Sequence, residues 1–225
     1  MIEIKHIDCM DYMKDCKDNQ FDLAVCDPPY FSGPDKLGYY GASVSSIGIV
    51  RGGYEKTDDW EVPKQDYFDE LLRISKHQII WGINYYDIKY LGSGRIIWDK
   101  VNGDSSFSDC EIAYCSKHDS VRMFSYLWNG MLQGKNMYEG KTQRGNKKLN
   151  EKRIHPTQKP VVLYDWILEK YAEPGMKIID THLGSGSFCL SAHKFGVDLI
   201  GCEKTKIYAV NSQKRYDIFA AQTSF

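Results

Sequence analysis

Long apolar runs are missing from this chain. No stretch of its 225 residues approaches the roughly 20 consecutive apolar residues that a membrane helix needs. The opening MIEIKHIDCM also lacks the basic-then-apolar pattern of a secretion signal. Both absences point to a cytoplasmic protein with no membrane partner. The seven cysteines (9, 16, 26, 110, 115, 189, 202) include no CxxC pair, and Cys110 and Cys115 have no second pair to complete a zinc site. Free thiols in a reducing compartment are the expectation, without metal. Net charge is nearly absent, at −1, so the chain as a whole shows no preference for polyanions. The GxGxxG signature of dinucleotide binders does not occur either.

What is present reads as one domain over 1–225, with 42% apolar residues to fill its core. Strands are expected over residues 2–7, 21–26, 77–81, 95–98, 110–115, 123–127, 177–180 and 198–202. Helices are expected over 8–17, with Asp8 as a possible cap, then 65–76, 161–171, from Gly186 to about Lys194, and 206–219. Such alternation implies an α/β sheet with helices on both faces. Two segments break the rhythm. Residues 31–63 are glycine-rich and aperiodic, far longer than the usual limit of about 12–15 residues, which favours a lid or binding loop, or disorder. Residues 129–153 form a basic, aperiodic segment. From Met131 to Pro160 eight basic residues stand against two acids, Glu139 and Glu151, a local excess suited to phosphate contacts or to a plain solvated loop.

Two short stretches carry chemistry. In IIDTHLGSGSFCLSAHKFGVDLIGCE, a strand ends in Asp180 and a tight turn holds Gly184, Ser185 and Gly186. A helix follows, and the next strand ends in Glu203. Glycines let the backbone approach a ligand, and an acid about 20 residues on can bind two ribose hydroxyls. In VCDPPYF, a buried strand stops at Asp27. Pro28 and Pro29 hold the backbone rigid and out of helical geometry. The Asp27 carboxylate and the Pro28 carbonyl can then receive both hydrogens of one exocyclic amino group, while Tyr30 offers a flat face to a base. Two acceptors so placed would stabilise the positive charge that grows on such a nitrogen during attack.

DPPY near one end, with HPTQKPVVL and DTHLGSGSF near the other, resembles the S-adenosylmethionine-dependent DNA amino-methyltransferases of the permuted β group. IIWGINYY, RIIWDK, FSDCEIAY, YLWNGM and RIHPTQKP extend the resemblance, which covers nearly the whole chain, to small bacterial and phage-encoded adenine methyltransferases. It implies a Rossmann-like methyltransferase fold, with a mostly parallel seven-stranded sheet and motifs in circularly permuted order. It further implies methyl transfer from S-adenosylmethionine to N6 of a flipped-out adenine in double-stranded DNA. By resemblance, Asp27, Pro28, Pro29 and Tyr30 are catalytic. Asp8, Cys9, Thr157, Lys159, Asp180, Gly184, Ser185, Gly186 and Glu203 bind the cofactor. Arg51, Lys141, Arg144, Lys147, Lys148 and Arg153 are candidates for DNA contact, the arginines for guanines and the lysines for phosphates; Tyr39, Tyr40, Tyr54 and Lys56 join them on the glycine-rich loop. His182 stands where phenylalanine is usual, and Ser187 where threonine is common. Trp81, Trp98, Trp128 and Trp166 read as packing residues, with Trp81 or Trp98 the ones near a pocket. Asp99 and Lys100 suggest an ion pair near the active site, and Asp109 and Glu111 a half-exposed strand. Left open are cytosine N4 or RNA as the target, a DNA-binding module without turnover, a homodimer, and a companion restriction enzyme.

Overall fold

A computed structural model of the chain describes residues 1–30, 43–44, 50–51, 53–54, 60–103, 108–129 and 132–223. In chain order the elements begin with β1 (Ile2–His6), α1 (Cys9–Met13), β2 (Leu23–Cys26), β3 (Ser43–Val44) and β4 (Val50–Arg51). Next come α2 (Gln65–Ile74), β5 (Gln78–Trp81), β6 (Arg95–Asp99), β7 (Cys110–Cys115) and β8 (Val121–Ser125). The chain closes with β9 (Trp128–Asn129), β10 (Leu132–Gln133), α3 (Val161–Tyr171), β11 (Lys177–Asp180), α4 (Ser187–Phe195), β12 (Asp198–Glu203) and α5 (Lys206–Thr223).

Among the described residues, eight strands form the main sheet in the order β1-β12-β11-β2-β5-β7-β6-β8. The seven strands implied by resemblance are therefore one short, although each of the eight was readable from its own residues. β8 lies on the outer edge, parallel to β6 over five residue pairs. Only β7 runs backwards, antiparallel to both β5 and β6. Its first residues consequently stand where its neighbours end: Cys110 lies opposite Asp99, and Glu111 opposite Trp98.

β2 and β5 are buried at every position, as expected of central strands covered on both faces. Alternate side chains feed two cores. Leu23, Val25, Ile79, Trp81 and Ile178 pack with Leu163, Ile167, Phe188 and Ala192 from α3 and α4. Ala24, Cys26, Ile80 and Ile179 pack with Met13 of α1 and Tyr67, Phe68, Leu71 and Ile74 of α2. The period of two along each strand thus places helices on both faces.

Local differences from the sequence expectations have local causes. Asp8 does cap α1, accepting from the Met10 amide at 2.9 Å, but the helix stops at Met13. Polar residues follow it, and Asn19 adopts a left-handed φ of 53°, which favours a turn. β8 starts at Val121 and ends at Ser125 because Leu127 turns its amide to the Gly140 carbonyl. The basic segment expected to be aperiodic holds part of a two-stranded ribbon, β9 with β10, and a single 3-10 turn at Lys147–Leu149. Within 31–63, β3 and β4 pair antiparallel; Tyr39, Tyr40, Lys56 and the Arg51 side chain lie outside the described residues.

Candidate active site

The carboxyl ends of β2, β11 and β12 open into a cleft of roughly 300 Å³. Asp8, Cys9, Asp27, Pro28, Pro29, Tyr30, Thr157, Lys159, Gly184, Ser185 and Glu203 all line it. Residues separated by 176 positions, from Asp27 to Glu203, thus meet at one edge of the sheet, where doubly wound folds bind ligands.

At one end of the cleft the main chain sets the geometry. Glu203 accepts the Gly184 amide on Oε2 at 2.9 Å and the Thr205 amide on Oε1 at 2.8 Å. Burial pushes its carboxyl up against the pull of those two amides. Gly184 has φ +55°, a conformation that glycine adopts without strain. The buried His155 ring packs against Gly184 and edge-on to Tyr208. Burial and the nearby Lys159 charge push His155 down to about 3, and its Nδ1 accepts from the Thr157 amide at 3.3 Å. Asp8 pairs with Lys204 at 3.2 Å. Partial burial opposes its ionisation, but the Met10 amide and Lys204 outweigh it and hold the carboxyl below its usual range. Burial pushes the Cys9 thiol up to about 12.

Two expected cofactor residues do not line this cleft. Asp180 is buried, and its Oδ1 accepts from the His182 amide at 3.0 Å, shaping the turn from beneath. Its carboxyl is pushed up to about 8 by burial, against that amide. Gly186 has φ +68°, and a Cβ there would stand 2.7 Å from Ser212 Cβ on α5. The packing of α5 therefore already requires glycine at this position.

At the other end, side chains set the geometry. Lys159 is expected on the cofactor, but its buried ammonium pairs instead with Asp27 Oδ2 and with Glu111 Oε2, the latter at 3.0 Å. Glu111 Oε1 in turn meets Lys100 Nζ at 2.6 Å. Lys100 therefore pairs with Glu111, not with its sequence neighbour Asp99. Asp99 instead accepts from the Val101 amide and from Ser125 Oγ, both at 2.9 Å. The walls are aromatic: Lys159 Nζ lies 5.5 Å from the Trp81 ring and 5.9 Å from Tyr30, and Lys100 Nζ 5.3 Å from Trp98. Asp27 Oδ1 is buried and has no hydrogen-bond partner among the described residues, an exposed need in a protein interior. The Pro28 carbonyl already accepts from the Tyr86 hydroxyl at 2.8 Å. Tyr30 stacks on Tyr85 with centroids 4.8 Å apart and planes 8° from parallel. Gly82 permits this arrangement: its φ is +71°, and a Cβ there would fall 2.3 Å from the Tyr30 ring.

Sequence reasoning missed several of these supports. Glu151, which looked like a stray acid in a basic segment, accepts Arg215 Nη2 at 2.7 Å, Gln158 Nε2 at 2.8 Å and the Val161 amide at 2.9 Å. Arg215 also donates to the Ser185 carbonyl at 3.0 Å, so α5 braces the glycine turn. The basic segment itself is less free than its composition suggests. Arg144 donates to the carbonyls of Leu149 and Lys135, and Arg153 stacks 4.3 Å over Trp128. Lys135 pairs with Glu139. Lys141, Lys147, Lys148 and Lys152 are exposed. Cys26, beside Asp27, is buried with its thiol pushed up to about 12, consistent with a packing role. No cluster of three or more potential metal ligands occurs among the described residues.

An α/β sheet with an acidic strand end, a glycine turn and a DPPY corner on one cleft defines a methyltransferase-type site. The DNA methylase family matches residues 21–214 of the chain, and the chain belongs to that family. It is an S-adenosylmethionine-dependent DNA methyltransferase. Among curated proteins it is similar to the type II methyltransferase M2.DpnII of Streptococcus pneumoniae, 25% identical over 94% of this chain and 88% of that protein. Its similarity to M2.MboI of Moraxella bovis is also 25%, over 92% of this chain and 85% of that one. Among solved structures, M1.HpyAVI with S-adenosylmethionine shares the fold at TM-score 0.56 and 20% identity, over 96% of this chain and all of that one. The cytosine-N4-specific PvuII DNA methyltransferase does so at 0.55 and 13%, over 97% and 91%.

Proposed function

We propose that this enzyme methylates N6 of adenine within a specific sequence of double-stranded DNA, in the cytoplasm, acting on a base flipped into the cleft. The observation that carries this reading is the buried Oδ1 of Asp27, unpartnered among the described residues, beside the Pro28 carbonyl and on the same cleft as the Gly184 turn and Glu203. Flipping costs a few kcal/mol, which stacking of roughly 1–3 kcal/mol on an aromatic ring helps offset. Tyr30, backed by Tyr85, supplies that ring.

The residues at the opposite end fit S-adenosylmethionine. Glu203 keeps a lone pair on each oxygen for ribose hydroxyls after accepting its two amides, and Asp8 is held ionised to accept an adenine amino group. Cys9 lies beside Asp8, while Gly184, Ser185 and Thr157 border the space for the methionine part. When bound, the cofactor supplies an electrophilic methyl on a positively charged sulfur. Asp27 and Pro28 hold the amine so that its lone pair attacks the methyl carbon. Transfer of that methyl would leave the donor as its neutral thioether, and the nitrogen held by Asp27 and Pro28 would give up one proton to solvent. No protein nucleophile is required. For DNA contact, exposed Lys141, Lys147, Lys148 and Lys152 suit phosphates; Arg144 and Arg153 are better read as braces of the loop.

Incubation of unmethylated DNA with labelled S-adenosylmethionine, followed by nucleoside analysis, tests this reading. N6-methyladenine is expected. Label in N4-methylcytosine, which the pocket chemistry also admits, would replace the proposed target base, and absence of label in any DNA would end the reading.

A further inference from the structure

We propose that Lys159 and Glu111 are positioning residues: Glu111, anchored by Lys100, aims the Lys159 ammonium at Asp27 Oδ2 and so leaves Oδ1 to receive the target amine. The inference rests on the catalytic role proposed for Asp27. Three observations support it. First, the four groups alternate in sign, Asp27, Lys159, Glu111, Lys100, and together carry no net charge. Second, the Lys159 side chain is only 3% exposed and those of Asp27 and Glu111 15%. Burying such groups is costly, and apolar residues of similar volume would commonly serve stability as well or better. A chain of ions ending on the catalytic carboxylate is thus better explained by what it does to that carboxylate. Third, the contact is one-sided. Oδ2 is engaged by the lysine, while Oδ1 is buried without a partner among the described residues.

A carboxylate free to rotate about its last bond would offer either oxygen in many orientations. A single cation on one oxygen fixes the plane and keeps the other oxygen preorganised for the growing charge on nitrogen. Burial has the largest influence on Asp27 and leaves its carboxyl above the usual range, and the charged neighbours modulate it. Lys159 and Lys100 oppose that rise, and Glu111 reinforces it. Asp180 and the phenols of Tyr30, Tyr86 and Tyr164 also face it.

The test compares kcat against pH, and S-adenosylmethionine affinity, in the wild type, Lys159→Gln and Glu111→Gln. Lys159→Gln should lower kcat about 100-fold while keeping cofactor affinity within about threefold, and its acid limb should move to higher pH. Glu111→Gln should move that limb to lower pH. Opposite displacements are not expected from a merely structural pair. Lys100→Met, one step further out, should move the limb upward as Lys159→Gln does, and it serves if Lys159→Gln does not fold. Limbs that stay put, or move together, overturn the inference while wild-type methylation leaves the underlying reading intact. So does a loss of cofactor affinity of about tenfold or more in Lys159→Gln with an unmoved limb, which would make Lys159 a cofactor contact. A wild type that methylates no DNA removes both.

Discussion

Glu203 and Asp27 are both carboxylates at the ends of parallel strands on one cleft, yet they are held by different means. Glu203 is gripped by two backbone amides, from Gly184 and Thr205. Asp27 meets a lysine side chain on one oxygen and nothing described on the other. The first arrangement is made by the local path of the chain and survives many side-chain changes. The second is made by side chains from four distant segments, and each of them is a point of failure. Binding of the donor and activation of the acceptor should therefore respond differently to mutation.

Asp27→Ala gives the sharpest separation. Turnover should fall about 10³-fold, the scale for removing a preorganised electrostatic group, while calorimetry finds S-adenosylmethionine bound as before. A variant that methylates at the wild-type rate would abolish the distinction between the ends. Gly82→Ala comes next. A left-handed φ and a Cβ inside the Tyr30 ring should cost about 2 kcal/mol or more in chemical unfolding. Unchanged stability would mean the Tyr30 stack yields easily. At the cofactor end, His155 makes stability pH-dependent. Its folded pKa of about 3 lies below the ordinary 6.5, so the unfolded chain binds the extra proton between those values. The stabilisation is complete above about 6.5 and shrinks as pH falls towards 3, by about 2 kcal/mol at pH 5. Urea unfolding at pH 7.5 and pH 5 measures it by comparison: in His155→Gln the change between the two pH values should differ from that of the wild type by about 2 kcal/mol, and an unaltered change would assign it elsewhere. The smallest effect is expected from Glu203→Gln, whose amide can still accept one backbone proton. Cofactor affinity should weaken about tenfold with kcat at saturation nearly unchanged. A fall in kcat instead would place Glu203 in the chemistry.

The same contrast explains how much of the molecule was legible beforehand. β2, β5 and the unit from β11 to β12 are short runs whose apolar pattern and terminal acids lie within a few residues of one another, and they were readable as such. The Gly184 turn and Glu203 were readable for the same reason, since 19 residues separate the two hydrogen-bond partners and a strand–turn–helix–strand unit fixes the span. The Lys159 to Asp27 contact bridges 132 positions, and nothing in HPTQKP says which acid its lysine will meet. Glu111 looked half exposed because its strand alternates only weakly, and the reversal of β7 that carries it to the site is a property of the sheet. Gly186 carries a packing demand that was hidden for a related reason. A glycine in a ligand-binding pattern and a glycine crowded by Ser212 look alike until α5 is in place.

That backward strand has a practical consequence for anyone re-engineering the enzyme. β7 is flanked by a hydrogen-bonded neighbour on each side, so Glu111 is carried on the scaffold and not on a connection. Connections outside the sheet can be exchanged without moving Glu111, the partner of Lys159. Replacing the β9–β10 region as far as Glu151 is a different undertaking, because that acid also fastens the glycine turn through Arg215.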